Sequence, residues 1–294
     1  MIPITRPELP PLEEYTALLE EIWDSRMLSN FGPMAQRLES LTGDYLGVPT
    51  RVVVSGDIGL TLTIAAMDLP RGSTCLVPSF TFNSTINAIL WNGLRPVFVD
   101  IDPDAFTMDP ADANSAAADA GDISLIVATH VFGNPADADG LRAVADGHGA
   151  RLLFDAAHGY GASRDGVKVG GLGDAEVFSL SGTKPVTTAE GGLIATNDPG
   201  LLERIKLLRG YGFFGDYNSK LVGLNGKMSE LHAALGLLTM RRVDEALAVR
   251  EGHIAAYRAV LDTVPGIAYQ RVRPQDRSTY KDFALVFTDR ACRD

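Results

Sequence analysis

Residues 124–155, SLIVATHVFGNPADADGLRAVADGHGARLLFD, decide how this chain folds. The runs SLIVAT and RLLF are apolar at nearly every position, as strands buried on both faces of a parallel sheet are. Between them, 137–147 reads as a helix. Strand, helix, strand is the unit from which a doubly wound sheet is built. The same alternation runs outward in both directions. Strands are predicted at Arg51–Ser55, Thr74–Pro78, Pro96–Asp100, Ser124–Thr129, Arg151–Asp155, Ala175–Leu180 and Leu193–Thr196. Helices are predicted at 58–68, 83–92, 137–147 and 199–209. In such sheets ligands bind beyond the carboxyl ends of the strands.

On the amino-terminal side a proline-rich arm leads into apolar residues at helical spacing: Tyr15, Leu18, Leu19, Ile22 and Trp23. Asn30-Phe31-Gly32-Pro33 reads as a turn, and a second helix spans Met34 to Leu46. On the other side, 228–262 reads as one long helical region, and Tyr280–Thr288 is β-rich. The alanine-rich stretch 111–120 reads as a weakly biased helix or turn. A strand such as KDFALVF needs neighbours, and few residues follow to supply them. The last part of the chain therefore reads as an incomplete small α+β domain.

The chain has 294 residues, 46% of them hydrophobic and 21% charged, and carries a formal net charge of −11. The apolar share suffices for a large core without covalent staples. The acidic balance argues against a general nucleic-acid binder or a protein docked on anionic lipid. Cys75 and Cys292 are far apart and form no C-x-x-C pair, so a disulfide framework or structural zinc site is not expected. The five histidines show no tight metal-ligand spacing. The first residues lack a secretory signal pattern, and no run approaches the ~20 apolar residues of a membrane span. A cytoplasmic protein is expected.

Three strand ends carry residues that could do chemistry. After RVVV comes Ser55-Gly56-Asp57-Ile58-Gly59, opening a helix. A helix N-terminus offers unpaired N–H groups and a positive dipole end to a phosphate. Taken alone, the same stretch reads first as a plain strand-to-helix turn capped by Asp57. After RLLF comes Asp155, followed by the small residues of Ala156-Ala157-His158-Gly159. A carboxylate there can hold a protonated pyridine nitrogen, or can serve as a helix cap or ion-pair partner. After VFSL comes Ser181-Gly182-Thr183-Lys184. A partly desolvated lysine becomes a free amine that reacts with an aldehyde, and a surface loop lysine is the plain alternative. Together the three supply what pyridoxal 5′-phosphate (PLP) needs: a phosphate anchor, a ring-nitrogen partner and an amine.

With these motifs in order, the chain resembles the DegT/DnrJ/EryC1/StrS family of PLP-dependent sugar aminotransferases, of aspartate aminotransferase fold type I. The likeness runs from residue 2 to about 245 through PITRPELP, SNFGP, VVVSGDIGL, the stretch VPSFTFNSTINAILWNGLRPVFVDIDPDAFTMDP, ATHVFGNPADADGL, LLFDAAHGYGA, VFSLSGTKPVTTAEGGLIATND and GLNGKMSELHAALGLL. The resemblance implies a three-layer α/β/α large domain, residues 1–245, around a mostly parallel seven-stranded sheet, with residues 246–294 as part of the small domain. It implies that Lys184 is the Schiff-base lysine and Asp155 the ring-nitrogen partner, the two catalytic residues. His158 falls near the ring hydroxyl, Phe82 on the ring face, and Ser179 with the backbone of Gly56, Asp57 and Ile58 on the phosphate. Asn225 falls on an asparagine that reaches the phosphate of a neighbouring subunit, which implies a homodimer with shared sites.

Three departures stand out. Asp57 replaces the usual threonine or serine; Leu224, Gly226 and Lys227 replace the usual tyrosine and arginine surroundings of the late asparagine; and members usually continue several tens of residues further. The implied activity is transfer of an amino group from an amino acid, glutamate by resemblance, to a nucleotide-linked keto-sugar. Two rivals are a PLP-dependent sugar dehydratase, in whose branch histidine replaces the lysine, and a non-catalytic or regulatory dimeric homologue without a complete small domain. Lys184 weighs against the first, and the early chain end supports the second.

Overall fold

A computed structural model describes residues 6–213 and 218–288. Residues 1–5, Cys292 and the last six positions of the expected 246–294 segment lie outside the described residues. Two helices, α1 (Leu12–Ser25) and α2 (Pro33–Leu46), precede β1 (Thr50–Val53). There follow α3 (Gly56–Met67), β2 (Thr74–Pro78), α4 (Asn83–Trp91), β3 (Arg95–Val99), α5 (Pro110–Ala120), β4 (Ile123–Thr129), α6 (Ala138–His148) and β5 (Arg151–Asp155). A small hairpin, β6 (Ser163–Arg164) and β7 (Val167–Lys168), leads to β8 (Ala175–Ser179), β9 (Gly192–Ala195) and α7 (Pro199–Leu208). The chain continues through α8 (Glu230–Met240), α9 (Val243–Leu261), β10 (Ile267–Tyr269) and β11 (Leu285–Phe287).

Seven strands form one sheet in the order β1-β9-β8-β5-β4-β2-β3. β9 runs antiparallel to both β1 and β8, and the other four pairings are parallel. Side chains alternate across the strands, so each apolar run feeds two cores. Leu125, Val127, Leu153, Val177 and Ile194 face α3, α4 and α7. Ile126, Ala128, Leu152 and Phe154 face α5 and α6, while Val52, Phe178, Leu193 and Ala195 face α2 and α8. Phe154 and Phe178 are fully buried, and burial of one such side chain contributes about 1.5–3 kcal/mol. The expected α/β/α sandwich with its mostly parallel seven-stranded sheet is what forms.

The helices start where side chains accept their first N–H groups. Asp109, Asp137, Asp198 and Ser229 cap α5, α6, α7 and α8. Asp109, with Pro110 at the first helical position, makes a full helix of the alanine-rich stretch. For α3 the cap is Ser55, whose Oγ accepts from the N–H of Ile58 at 3.1 Å, and not Asp57, which sits exposed in the first turn. The Asn30-Phe31 turn forms with both residues in the left-handed region, at φ 65° and 63°.

The expected single helix over 228–262 is broken at Arg241–Arg242 into α8 and α9. Periodicity runs through the break, but the environment changes. From Ala233 on, most residues of α8 are buried, whereas α9 buries only Val243, Leu247 and Ile254. The β-rich segment at 280–288 contributes β11, and its neighbour is β10, paired antiparallel. The expected boundary after residue 245 falls in the first turn of α9. Ion pairs tie the segment after α9 to the large sheet's surroundings. Arg164, 7% exposed, lies 2.5 Å from Asp137, 3.2 Å from Asp139 and 3.9 Å from the buried Asp276, and Arg273 pairs with Asp165 at 2.6 Å.

Candidate active site

The carboxyl ends of β1, β5 and β8 and the N-terminus of α4 surround a cavity of about 530 Å³. Gly56, Asp57, Phe82, Asp155, His158, Ser179 and Lys184 all line it. Ile58, expected at the phosphate, does not, and neither does Asn225, which was expected to reach the site of a neighbouring subunit. Ile58 gives its N–H to the Ser55 cap, and Asn225 is exposed, paired with Gly210.

The α3 N-terminus is pressed against the end of β8. A Cβ on Gly56 would lie 3.2 Å from the Ser179 Cβ, and one on Gly59 only 2.7 Å from Val177. Glycine at these positions lets the helix start approach the strand closely, bringing the first-turn N–H groups beside the Ser179 hydroxyl. Ser179 Oγ is otherwise met only loosely, by Ser181 at 3.4 Å.

Asp155 is 2% exposed and, among the described residues, has no ion-pair partner within 4 Å. Its Oδ2 accepts from the Thr85 hydroxyl at 2.6 Å and its Oδ1 from the Ala157 N–H at 3.0 Å. Thr85 is in turn 2.8 Å from the Thr81 hydroxyl, itself 2.9 Å from that of Thr129. This chain of hydroxyls fixes the carboxylate in one rotamer. Burial pushes the Asp155 carboxyl above the ordinary carboxylate range, against the pull of Thr85, Ala157, His130 and Lys184. A positive group placed beside it would reverse that effect.

His158 follows two residues later. Its Nδ1 accepts the Phe132 N–H at 3.2 Å, so in the neutral ring Nε2 carries the proton and is the free donor. Burial, with help from Lys184 and Lys281, lowers its pKa to about 4, which keeps the ring neutral at ordinary pH. Phe82 is 75% exposed at the cavity, an unusual setting for a phenyl ring.

Lys184 stands on a loop folded back on the end of β8. Its N–H donates to Ser181 at 3.0 Å, and the Thr188 N–H returns to Leu180 at 2.8 Å. Below the loop, Thr239 of α8 donates to the Thr187 carbonyl at 2.8 Å. Burial lowers the Lys184 pKa, and the nearby Lys281 lowers it further, against Asp155, Asp282 and Glu190. The lysine is thus half-buried and biased toward the free amine.

Thr85 and Lys281 were not foreseen from the sequence. Thr85 lies three residues after Phe82 on the first turn of α4, a position that a helical reading of FNST could have supplied. Lys281 carries no local signal. His130 is fully buried, stacked on Phe154 at 4.6 Å, with Nε2 3.4 Å from Oε2 of the equally buried Glu176. Among the described residues there is no group of three or more metal-ligating side chains, and no helix is long and apolar enough to cross a membrane.

The chain is similar to known proteins over most of its length. Residues 12–294 match the DegT/DnrJ/EryC1/StrS aminotransferase family. The chain is 34% identical over 284 residues to the dTDP-4-amino-4,6-dideoxy-D-glucose transaminase of Shigella dysenteriae, covering 96% of this chain and 76% of that protein. It is 36% identical over 244 residues to the GDP-perosamine synthase of Caulobacter vibrioides, covering 82% and 65%. Its fold is similar to that of DesI, solved with its TDP-sugar product, with a TM-score of 0.88, 36% identity and coverage of 98% and 71%. AtS13 from Actinomadura melliaura aligns with a TM-score of 0.91 at 32% identity, covering 99% of this chain and 81% of that one. By sequence and by fold, the chain belongs to the DegT/DnrJ/EryC1/StrS aminotransferase family.

Proposed function

We propose that this protein is a PLP-dependent aminotransferase that moves an amino group from an amino acid, glutamate by family likeness, onto a nucleotide-linked keto-sugar. The observation that carries this reading is the meeting of three unlike groups on one cavity: the amine of Lys184, the buried carboxylate of Asp155 and the N-terminus of α3. The names of the Shigella and Caulobacter relatives, and the sugar product held by DesI, support the substrate class.

The residues present fit the cofactor. The cradle at Gly56, which a Cβ would crowd against Ser179, suits a phosphate, with the N–H groups of Gly56 and Asp57 and the Ser179 hydroxyl as donors. Asp155 would hold the ring nitrogen, Phe82 would cover the ring face, and the Nε2–H of His158 would donate to the ring hydroxyl. Lys184 would supply the amine. Asp57, an acid where a hydroxyl is usual, takes part through its backbone alone. Asn225, exposed and off this cavity, would serve the cofactor phosphate of a second copy, in a homodimer.

Bound PLP supplies an aldehyde for amine exchange and an electron-withdrawing ring that eases removal of a proton from an amino acid's α-carbon. The free amine of Lys184 would take that proton as general base, and the resulting ammonium would hand it on, as general acid, to the carbon that had carried the aldehyde rather than back to the α-carbon. Asp155, fixed by Thr85 and Ala157, keeps a ring nitrogen protonated; in this low-dielectric site a fixed anion acts strongly. His158 stays neutral, so it donates a hydrogen bond without adding charge beside Lys184.

The test is spectroscopic. The purified chain with PLP is expected to show a visible absorption band that glutamate bleaches and a nucleotide-linked keto-sugar restores, while Lys184→Ala shows neither change. Absence of the band, or an equal band in Lys184→Ala, would contradict the reading.

A further inference from the structure

Lys184 lies between two cavities. Besides the one described above, it lines a second, of about 400 Å³, together with Arg250 and His253 of α9, Lys281 and Asp282. Arg6 and Glu8 of the N-terminal arm close its outer side. Lys281 reaches this place on a strap, residues 277–282, that leaves the C-terminal segment and fastens onto the floor of the site.

The fastening is made by backbone bonds. The Thr279 N–H donates to Gly133 at 3.2 Å and the Lys281 N–H to Phe132 at 2.9 Å. The Thr279 hydroxyl donates to the carbonyl of His158 at 2.6 Å, and a Cβ on Gly133 would collide with that hydroxyl. From outside, Arg250 donates to the carbonyls of Tyr280 and Lys281. The strap is thereby locked to the residues that follow β4 and β5, and the Lys281 side chain is only 16% exposed. A lysine held this way keeps its charge near Lys184, with only the half-exposed Asp282 beside it to offset the loss of water.

We propose that Lys281 is a positioning residue for the reaction: fixed by the 277–282 strap in the cavity it shares with Lys184, its ammonium presses the neighbouring Lys184 amine toward its uncharged form. Like charges confined together disfavour each other's charged form, which is a known route to an activated lysine. The groups that face Lys184 are Asp155 and His158 from β5 and its loop, Glu190 from its own loop, and Lys281 with Asp282 from the strap. Arg250, His253, Arg6 and Glu8 complete the ring. Asp282 sits 3.2 Å from Lys281 Nζ and acts in the opposite sense on Lys184. The strap therefore carries both a charge that frees the amine and one that restrains it.

This inference rests on the reading of Lys184 as the reactive amine, and the experiment separates the two. The unloaded chain is labelled with trace acetic anhydride across a pH series, and acetylation of the Lys184 peptide is followed by mass spectrometry. Lys281→Met is expected to raise the labelling midpoint by about one pH unit, so that below it the rate falls about tenfold. Lys281→Arg keeps the midpoint close to that of the unaltered chain. Asp282→Asn moves it the other way, downward. A strap merely loosened by substitution would shift both variants in one direction. Equal midpoints in Lys281→Met and the unaltered chain, or shifts of the same sign in Lys281→Met and Asp282→Asn, would overturn the proposal. Failure of the parent reading shows separately, as a visible band on PLP addition that survives in Lys184→Ala.

Discussion

The carboxyl edge of the sheet and the segment after α9 meet at Lys184, but different forces hold them. At the sheet, Phe154, Leu153 and Val177 are fully or almost fully buried and sort into two apolar layers. After α9, the strands are short, Val286 is 41% exposed, and position is set by Arg164, Arg273 and Arg277 with their carboxylates and by the backbone bonds of the strap. Burial gives Lys184 and Asp155 a rigid base. Polar fastening gives the second cation a place that depends on charge.

This contrast is broken or sharpened by variants on each side. The largest effect is expected at the buried carboxylate. Asp155→Asn leaves a group that can still meet Thr85, yet it removes the fixed negative charge. The rate of the glutamate half-reaction should fall about 10²–10³-fold, as loss of a preorganised charged partner does, with little change in melting temperature. In the sheet, Phe154→Ala should cost about 3–5 kcal/mol of unfolding free energy in urea titration, whereas Val286→Ala should cost less than about 0.5 kcal/mol.

Arg164→Met tests the polar fastening. It removes four carboxylate contacts, to Asp137, Asp139, Asp165 and Asp276, the last with a side chain only 1% exposed. About 3 kcal/mol should be lost, and protease cleavage should rise first around 262–288. If the loss matches that of Val286→Ala, the segment is held by apolar contact after all.

The last effect appears only in acid. The pKa of His158 is lowered to about 4 in the folded chain, against about 6.5 when unfolded. Above pH 6.5 the ring is neutral in both states and contributes nothing. As pH falls toward 4 the unfolded chain binds the proton and the folded chain does not, so stability drops. The ceiling is about 3 kcal/mol, reduced by the water that reaches the partly exposed ring. His158→Gln should flatten the stability curve across that window and leave it unchanged above pH 7.

The two regions also differ in how much of them can be read from sequence. SLIVAT, RLLF and VFSL name their strands because burial on both faces demands continuous apolar runs, and their ends point to Asp155, Ser179 and Lys184. The end of α8 has no such mark, since the helical period continues through Arg241–Arg242 while the surroundings change. The β6–β7 hairpin did carry a signal, Asp165-Gly166 at φ 48° and 80°, the usual chemistry of a two-residue turn. The N-cap of α3 was misassigned because Ser55 and Asp57 are both good capping residues and only the helix start decides between them. Lys281 was out of reach. The partners of its strap, Phe132, Gly133 and His158, are more than a hundred residues away and accept through backbone carbonyls, which leave no pattern in side-chain type.

The central claim is that the Lys184 amine and a PLP aldehyde meet in the cavity lined by Asp155. Borohydride reduction of the chain incubated with PLP, followed by peptide mapping, tests it most directly. The account predicts one reduced cofactor per chain, on Lys184, and none in Lys184→Ala. A label spread over surface lysines, or fixed on another lysine, would contradict it.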